Sequence, residues 1–201
     1  MPGRVDVGLV EAARELAGAA VAEALPRRWS HLRAVGARAA EIAHVLPEPD
    51  RDVLVAAACL HDIGYAPDLA RTGFHPLDGA RFLRDVSFDA RVTALVAHHS
   101  RALVEARLRG LDTDLAAEFP DERSPVTDAL IYCDMTTGPD GTRVDVTTRL
   151  AEVRRRYGAG SLVVAFLDLA EPQLRAAVER VCARIATVPV QPTGDGSGRL
   201  S

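Results

Sequence analysis

Apolar residues recur at helical spacing along most of the chain, and no useful stretch alternates apolar and polar positions as a half-buried strand would. The pattern predicts an all-α protein. Residues 9–25 form an Ala-rich amphipathic segment, interrupted by Glu11, Arg14, Glu15 and Glu23 and ended by Pro26. Ser30 is expected to cap a second helix over 31–45, stopped by Pro47 and Pro49. Asp50 is expected to cap a third over 51–62, whose run from Val53 to Leu60 is apolar on every side. A helix with no polar face belongs in the centre of a fold.

Gly64 then reads as a helix stop, followed by a loop over 65–74. Pro76 suits the first turn of a helix over 76–84, and Ser87 the cap of another over 88–99. A short helix is expected over 103–111, while 112–123 is polar and reads as loop. Ser124-Pro125 is a cap followed by proline at the first helical position, opening a helix that reaches Cys133 or Asp134. After a Gly-Pro-Asp-Gly turn at 138–141, a helix over 146–157 ends at Gly158, and 162–185 is helical with a break at Pro172. The Pro/Gly/Ser-rich residues 187–201 are expected to be disordered. With 201 residues and no internal repeat, one domain over 1–186 is expected.

Composition narrows the partners. The longest uncharged run, 157–167, is well short of the roughly 18 apolar residues of a membrane span. Residues 1–10 lack an apolar signal-peptide block, so a cytoplasmic protein without membrane contact is expected. The net charge is −4, aromatics are 4% and all 24 cationic residues are arginines. Such a chain lacks the basic face and stacking platform of a nucleic-acid binder. The arginines at 154–156 read as a solvated helix face. Cys59, Cys133 and Cys182 form no C-x-x-C pair, which argues against a disulfide framework or zinc ribbon.

The histidines carry the chemistry. His31, His61-Asp62, His75, His98-His99 and Asp134 fall beside expected helix ends or loops. Asp62 ends the apolar central helix, where an unpaired carboxylate is costly and a cation would resolve its burial. Imidazole with carboxylate is a ligand set for Fe, Mn, Zn or Ni rather than for calcium. His44 lies 13 residues after His31 and so faces away from it on one helix. Asp68, Asp78 and Asp140 have ordinary uses as loop, helix-start and turn residues.

His31, then HDIGY from His61, FHPLDGARFL from Phe74, VAHHS from Val96 and YCD ending at Asp134 resemble the H…HD…D signature of the HD-domain superfamily of metal-dependent phosphohydrolases. The resemblance spans roughly 27–157 and implies a compact helical bundle. It also implies that His31, His61, Asp62 and Asp134 hold one divalent metal ion. His75, His98 and His99 resemble the dinuclear branch and would hold a second, with Asp62 shared by both ions and so the catalytic residue. Iron or manganese is expected, with zinc or nickel as further options.

Departures from nearby families narrow the substrate. Cyclic-dinucleotide phosphodiesterases of the HD-GYP type read H-D-x-G-K and carry G-Y-P after the double histidine. Here Tyr65 stands at the lysine and Arg101-Ala102-Leu103 follow. Guanosine tetraphosphate hydrolases show a Glu-Asp pair after HD, missing over 65–78, whereas HD-type diadenosine tetraphosphate hydrolases are similar in size and metal set. The implied activity is hydrolysis of a small phosphorylated molecule, with a nucleotide the expected class, by a hydroxide bridging two ions about 3.5–4 Å apart. Without lysine, arginine must bind the phosphate. Arg101, after the double histidine, and Arg71, before His75, are nearest in sequence. The mixed-valent diiron oxygenases of the same superfamily share the ligand order and form a second expectation; a non-catalytic HD-fold binding domain is a third.

Overall fold

The computed structural model describes residues 8–187, which fold entirely into helices and connecting turns. The helices are α1 (Leu9–Val21), α2 (Pro26–Ile42), α3 (Glu48–Leu60), α4 (His75–Asp85), α5 (Ala90–His98), α6 (Ala102–Arg109), α7 (Asp112–Glu118), α8 (Pro125–Met135), α9 (Val146–Tyr157) and α10 (Leu162–Thr187). Short 3₁₀ turns occupy Ala43–Val45, Ile63–Tyr65 and His99–Arg101. Among the described residues β-pairing is limited to an isolated bridge between Thr137 and Arg143. No helix there is long and apolar enough to cross a membrane. The segment expected to be disordered lies outside the described residues from 188 onward.

Seven successive residues of α3, Leu54 to Leu60, are buried. That is possible because α1, α2, α5 and α8 pack around it and leave it no solvent face. The main core joins Leu32 and Val35 of α2, Leu54 and Leu60 of α3, Leu130 and Ile131 of α8 and Leu174 of α10. A smaller cluster of Phe74, Leu77, Ala97, Ala106, Leu115 and Phe119 braces the start of α4 against the ends of α5 and α7. Both cores therefore end where the histidines emerge.

Several boundaries differ from the sequence expectation. α2 begins at Pro26, which takes the first helical position, so Ser30 lies inside the helix and donates to the Pro26 carbonyl. Helix α3 begins at Glu48, and Asp50 sits in its first turn, where it meets Arg91. Asp89 rather than Ser87 caps α5, accepting the amides of Arg91 and Val92. Ser124 caps α8 in a reciprocal capping box with Thr127, as the Ser-Pro pair predicts. Residues 112–118, expected to be loop, form α7 because Leu115 is buried in the smaller core. Helix α10 runs through Pro172 without a break, and packing against α8 and α9 spans the lost hydrogen bond.

Candidate metal centre

Six side chains from five segments converge at one end of α3. His31 comes from α2, His61 and Asp62 from the end of α3, His75 from the first position of α4, His99 from just past α5 and Asp134 from the last turn of α8. They form two ligand groups, His31–His61–Asp134 and Asp62–His75–His99, within each of which the ligand atoms lie inside 4.8 Å of one another. Asp62 joins the groups. Its Oδ2 is 3.7 Å from His61 Nε2, while its Oδ1 is 3.2 Å from His75 Nε2 and 3.8 Å from His99 Nε2. Asp134 Oδ1 lies 3.2 Å from His31 Nε2 and 3.9 Å from His61 Nε2.

Backbone carbonyls set the tautomers. His31 Nδ1 donates to Gly138 O at 2.9 Å, His61 Nδ1 to Ala58 O at 2.9 Å and His99 Nδ1 to Val96 O at 2.7 Å. A carbonyl only accepts, so each Nδ1 carries the proton and each Nε2 turns a lone pair inward. Burial lowers the pKa of His61, His75 and His99, outweighing the nearby carboxylates that would raise them. Burial thus favours the neutral form of these three rings, the form in which imidazole can bind a metal. Burial alone would raise Asp62 and Asp134. The Arg28 guanidinium instead holds Asp62 well below the usual carboxylate range, and Asp134 is likewise lowered, with Arg149 as its cationic neighbour.

The donor set fits a metal. His61 is fully buried, and its Nε2 finds no hydrogen-bond partner although two carboxylates lie within 4 Å. Such a lone pair costs free energy unless a cation or a donor meets it. The imidazole nitrogens of His31 and His61 and the carboxylates of Asp134 and Asp62 meet there, and hard-to-borderline transition ions suit this mixture.

Two close approaches build the geometry. A Cβ on Gly64 would stand 2.1 Å from His75 O and 2.5 Å from Gly79 N, so only glycine lets the turn after His61-Asp62 touch the start of α4. Gly64 is therefore a packing residue beside the site, since α3 already ends at Leu60. Asp78, on α4, accepts the amides of Arg71 and Thr72 and the Thr72 hydroxyl, folding the preceding loop back so that His75 enters the cluster.

His98, expected as a ligand, is not brought to the cluster. Helix α5 ends at His98, and His99 leaves it with an extended ψ of 152°, so the neighbouring rings diverge. His98 Nε2 donates instead to Phe119 O at 2.9 Å. Arg101 is also elsewhere: with left-handed backbone at φ 62°, it lines a small cavity beside His98, Arg107 and Arg123. Arg71 is exposed, because Asp78 holds its amide and turns the side chain outward. His44 donates to Glu41 O, away from the centre, as its position in the helix predicts.

The arginines that do reach the centre lie elsewhere in the sequence. Arg28 Nη1 meets Asp62 Oδ2 at 2.5 Å and covers the Tyr65 ring, which stacks on His75. Arg149 Nη2 lies 3.5 Å from Asp134 Oδ1, and Ser100 Oγ donates to Asp134 Oδ2 at 2.6 Å. Arg28, Arg149, Arg156 and Arg109 line a cleft of about 290 Å³ that opens on Asp62, His75, His99 and Asp134, with Tyr65, Tyr157 and Phe166 as its aromatic wall. Arg28 had a readable signal: three residues before His31, it shares that residue's helix face. Arg149 and Arg156 had none, since only the packing of α9 brings them to the site.

A family model for the HD domain matches residues 28–135, just over half of the chain, and the chain belongs to the HD domain family. The match contains all six clustered side chains and Arg28, and it stops before α9. No curated protein and no solved structure matches the chain.

Proposed function

We propose that this protein is a metal-dependent phosphohydrolase of the dinuclear HD type that cleaves a small phosphorylated molecule, with a nucleotide the preferred class. The observation that carries the reading is the cleft itself: two groups of potential metal-ligand atoms, with Asp62 of one beside His61 of the other, open onto a space rimmed by arginines and aromatic rings. Family membership supports hydrolysis, and the arginine rim supports phosphate as the anion recognised. His31, His61 and Asp134 would hold one divalent ion and His75 and His99 the other, with Asp62 between them; iron or manganese suits these donors, as do zinc and nickel. When bound, the ions supply an acidified water as nucleophile and offset the charge that develops on the phosphoryl oxygens.

The chain's own residues do the rest. Arg28 and Arg149 stand beside the two ligand carboxylates, where their guanidinium groups can receive non-bridging phosphate oxygens in paired hydrogen bonds. Ser100 fixes the free oxygen of Asp134, so that carboxylate cannot rotate when substrate enters. Tyr65, Tyr157 and Phe166 offer flat faces for a base or another ring. The test is metal analysis of purified protein, then a screen of the Mn- and Fe-loaded forms against phosphomonoesters, nucleotides and dinucleoside polyphosphates, with oxygen uptake followed in parallel. Release of phosphate or nucleotide that disappears in Asp62→Ala is expected. Metal-loaded protein that cleaves none of these, or that consumes oxygen with substrate, overturns the reading.

A further inference from the structure

The arginines of the cleft stand between two cavities. The first is the 290 Å³ cleft over the metal centre. A second, of about 390 Å³, reaches His31 and is lined by Ala24, Leu25, Pro26, Pro139 and the exposed Arg27 together with the same Arg28, Arg149 and Arg156. The two spaces share those three side chains as lining; the first reaches Asp62, His75, His99 and Asp134, and the second reaches His31. Glu152 holds two of the three, accepting from Arg149 at 2.8 Å and from Arg156 at 2.6 Å. Arg28 is held by Asp62. Three ion-paired arginines are thus fixed along the lining common to both spaces, with Arg109 on the first and the exposed Arg27 on the second.

A terminal phosphomonoester has its charge at one end and one organic group. A site built for it needs cations at a blind end and a single lobe. Here the cationic row lies at the junction, one lobe is walled by aromatic rings and the other by aliphatic side chains and prolines. Building on the phosphohydrolase reading, we infer that the substrate carries an organic group on both sides of its phosphate, as a phosphodiester or a pyrophosphate-linked compound does. One substituent occupies the aromatic lobe and the other the aliphatic lobe, with the phosphate between them at Arg28, Arg149 and Arg156. Hydrolysis breaks one P–O bond: water oxygen joins phosphorus, and the departing oxygen takes a proton and leaves with its lobe's substituent.

The experiment compares matched substrates on the Mn-loaded full chain: bis(p-nitrophenyl) phosphate against p-nitrophenyl phosphate, and diadenosine diphosphate against AMP. The disubstituted member of each pair is expected to have a kcat/KM about tenfold higher or more. Ala24 is exposed and lines the second lobe, so Ala24→Trp should fill that space without touching the core. Its expected signature is a rise of about fivefold in the KM ratio of disubstituted to monosubstituted substrate, with metal content unchanged. Leu25→Trp serves as the second variant and should move the ratio the same way. Preference for the monoesters, or an unmoved KM ratio in both tryptophan variants, overturns the two-lobed assignment while leaving a phosphohydrolase. Failure to cleave either class overturns the underlying reading as well.

Discussion

The two walls of the cleft are held in different ways. On the metal side, side-chain direction is set by the backbone: the carbonyls of Gly138, Ala58 and Val96 fix three imidazoles, and Gly64 brings two segments into van der Waals contact. On the α9 side, the buried Arg149 and the more exposed Arg156 are held by Glu152, and Arg154 by Asp168 and Glu171, through side-chain ion pairs rather than backbone partners. Backbone partners cannot swing away without unfolding a helix end; side-chain ion pairs can re-form in several geometries at small cost. The metal wall is therefore the stiff one, and the α9 wall the adaptable one.

Damage to the stiff wall should be the most severe. Asp62→Ala removes the carboxylate that lies between the two ligand groups and, on the proposed reading, should lower turnover by more than about 10³-fold with loss of bound metal, read by kinetics and metal analysis on one preparation. Full metal content in that variant would refute the shared-ligand assignment. Gly64→Ala must push the start of α4 away and should cost about 1–3 kcal/mol in denaturant unfolding, with His75 displaced from its group. An unchanged midpoint would mean that the close approach relaxes freely.

The adaptable wall should yield a milder response. Arg156→Ala is expected to raise KM for a phosphorylated substrate by about 5- to 30-fold, equivalent to roughly 1–2 kcal/mol, while bound metal is retained. If kcat and metal content fell together instead, α9 would be part of the stiff wall. Acidity sharpens the contrast further. A histidine whose folded pKa lies below its unfolded value contributes full stability above that unfolded value and loses it as pH falls through it. His61, His75 and His99 all have that sign. Metal-free protein should show a melting temperature that declines from pH 7 to pH 5, by about 2–4 °C for each kcal/mol of linked destabilisation. A flat profile would contradict neutral buried rings. The smallest effect belongs to Arg101→Ala, for which KM should change by less than about twofold because its side chain lines a different cavity.

Much of the stiff wall was legible in the sequence, because its parts answer to local rules. The unbroken apolar run of α3 announces a central helix, and a histidine and an aspartate at its end invite a cation. The choice between His98 and His99 was not legible, since it turns on α5 ending one residue earlier than the spacing suggests. The adaptable wall was hidden for another reason. Arg149 and Arg156 reach the centre only through the packing of α9, whereas Arg71 and Arg101, nearer in sequence to the ligands, are turned out by an Asp78 hydrogen bond and a left-handed backbone step. Nearness along the chain is a poor guide to phosphate contacts when connecting turns decide direction. Helix α7 and the unbroken α10 escaped for the same cause, tertiary burial overriding local composition.

The boundary between α8 and α9 bears on how such a cleft can diversify. The six clustered histidines and aspartates precede Met135, while Leu150, Val153, Tyr157, Val163 and Phe166 of the facing wall all follow it. One wall of the cleft is thus encoded apart from the clustered histidines and aspartates, although Arg28, Tyr65 and Arg109 line the cleft from the earlier stretch. Mutations in the later stretch can explore new partners without touching a ligand, so a library confined to those five codons should retain metal in most of its members while its substrate profile drifts.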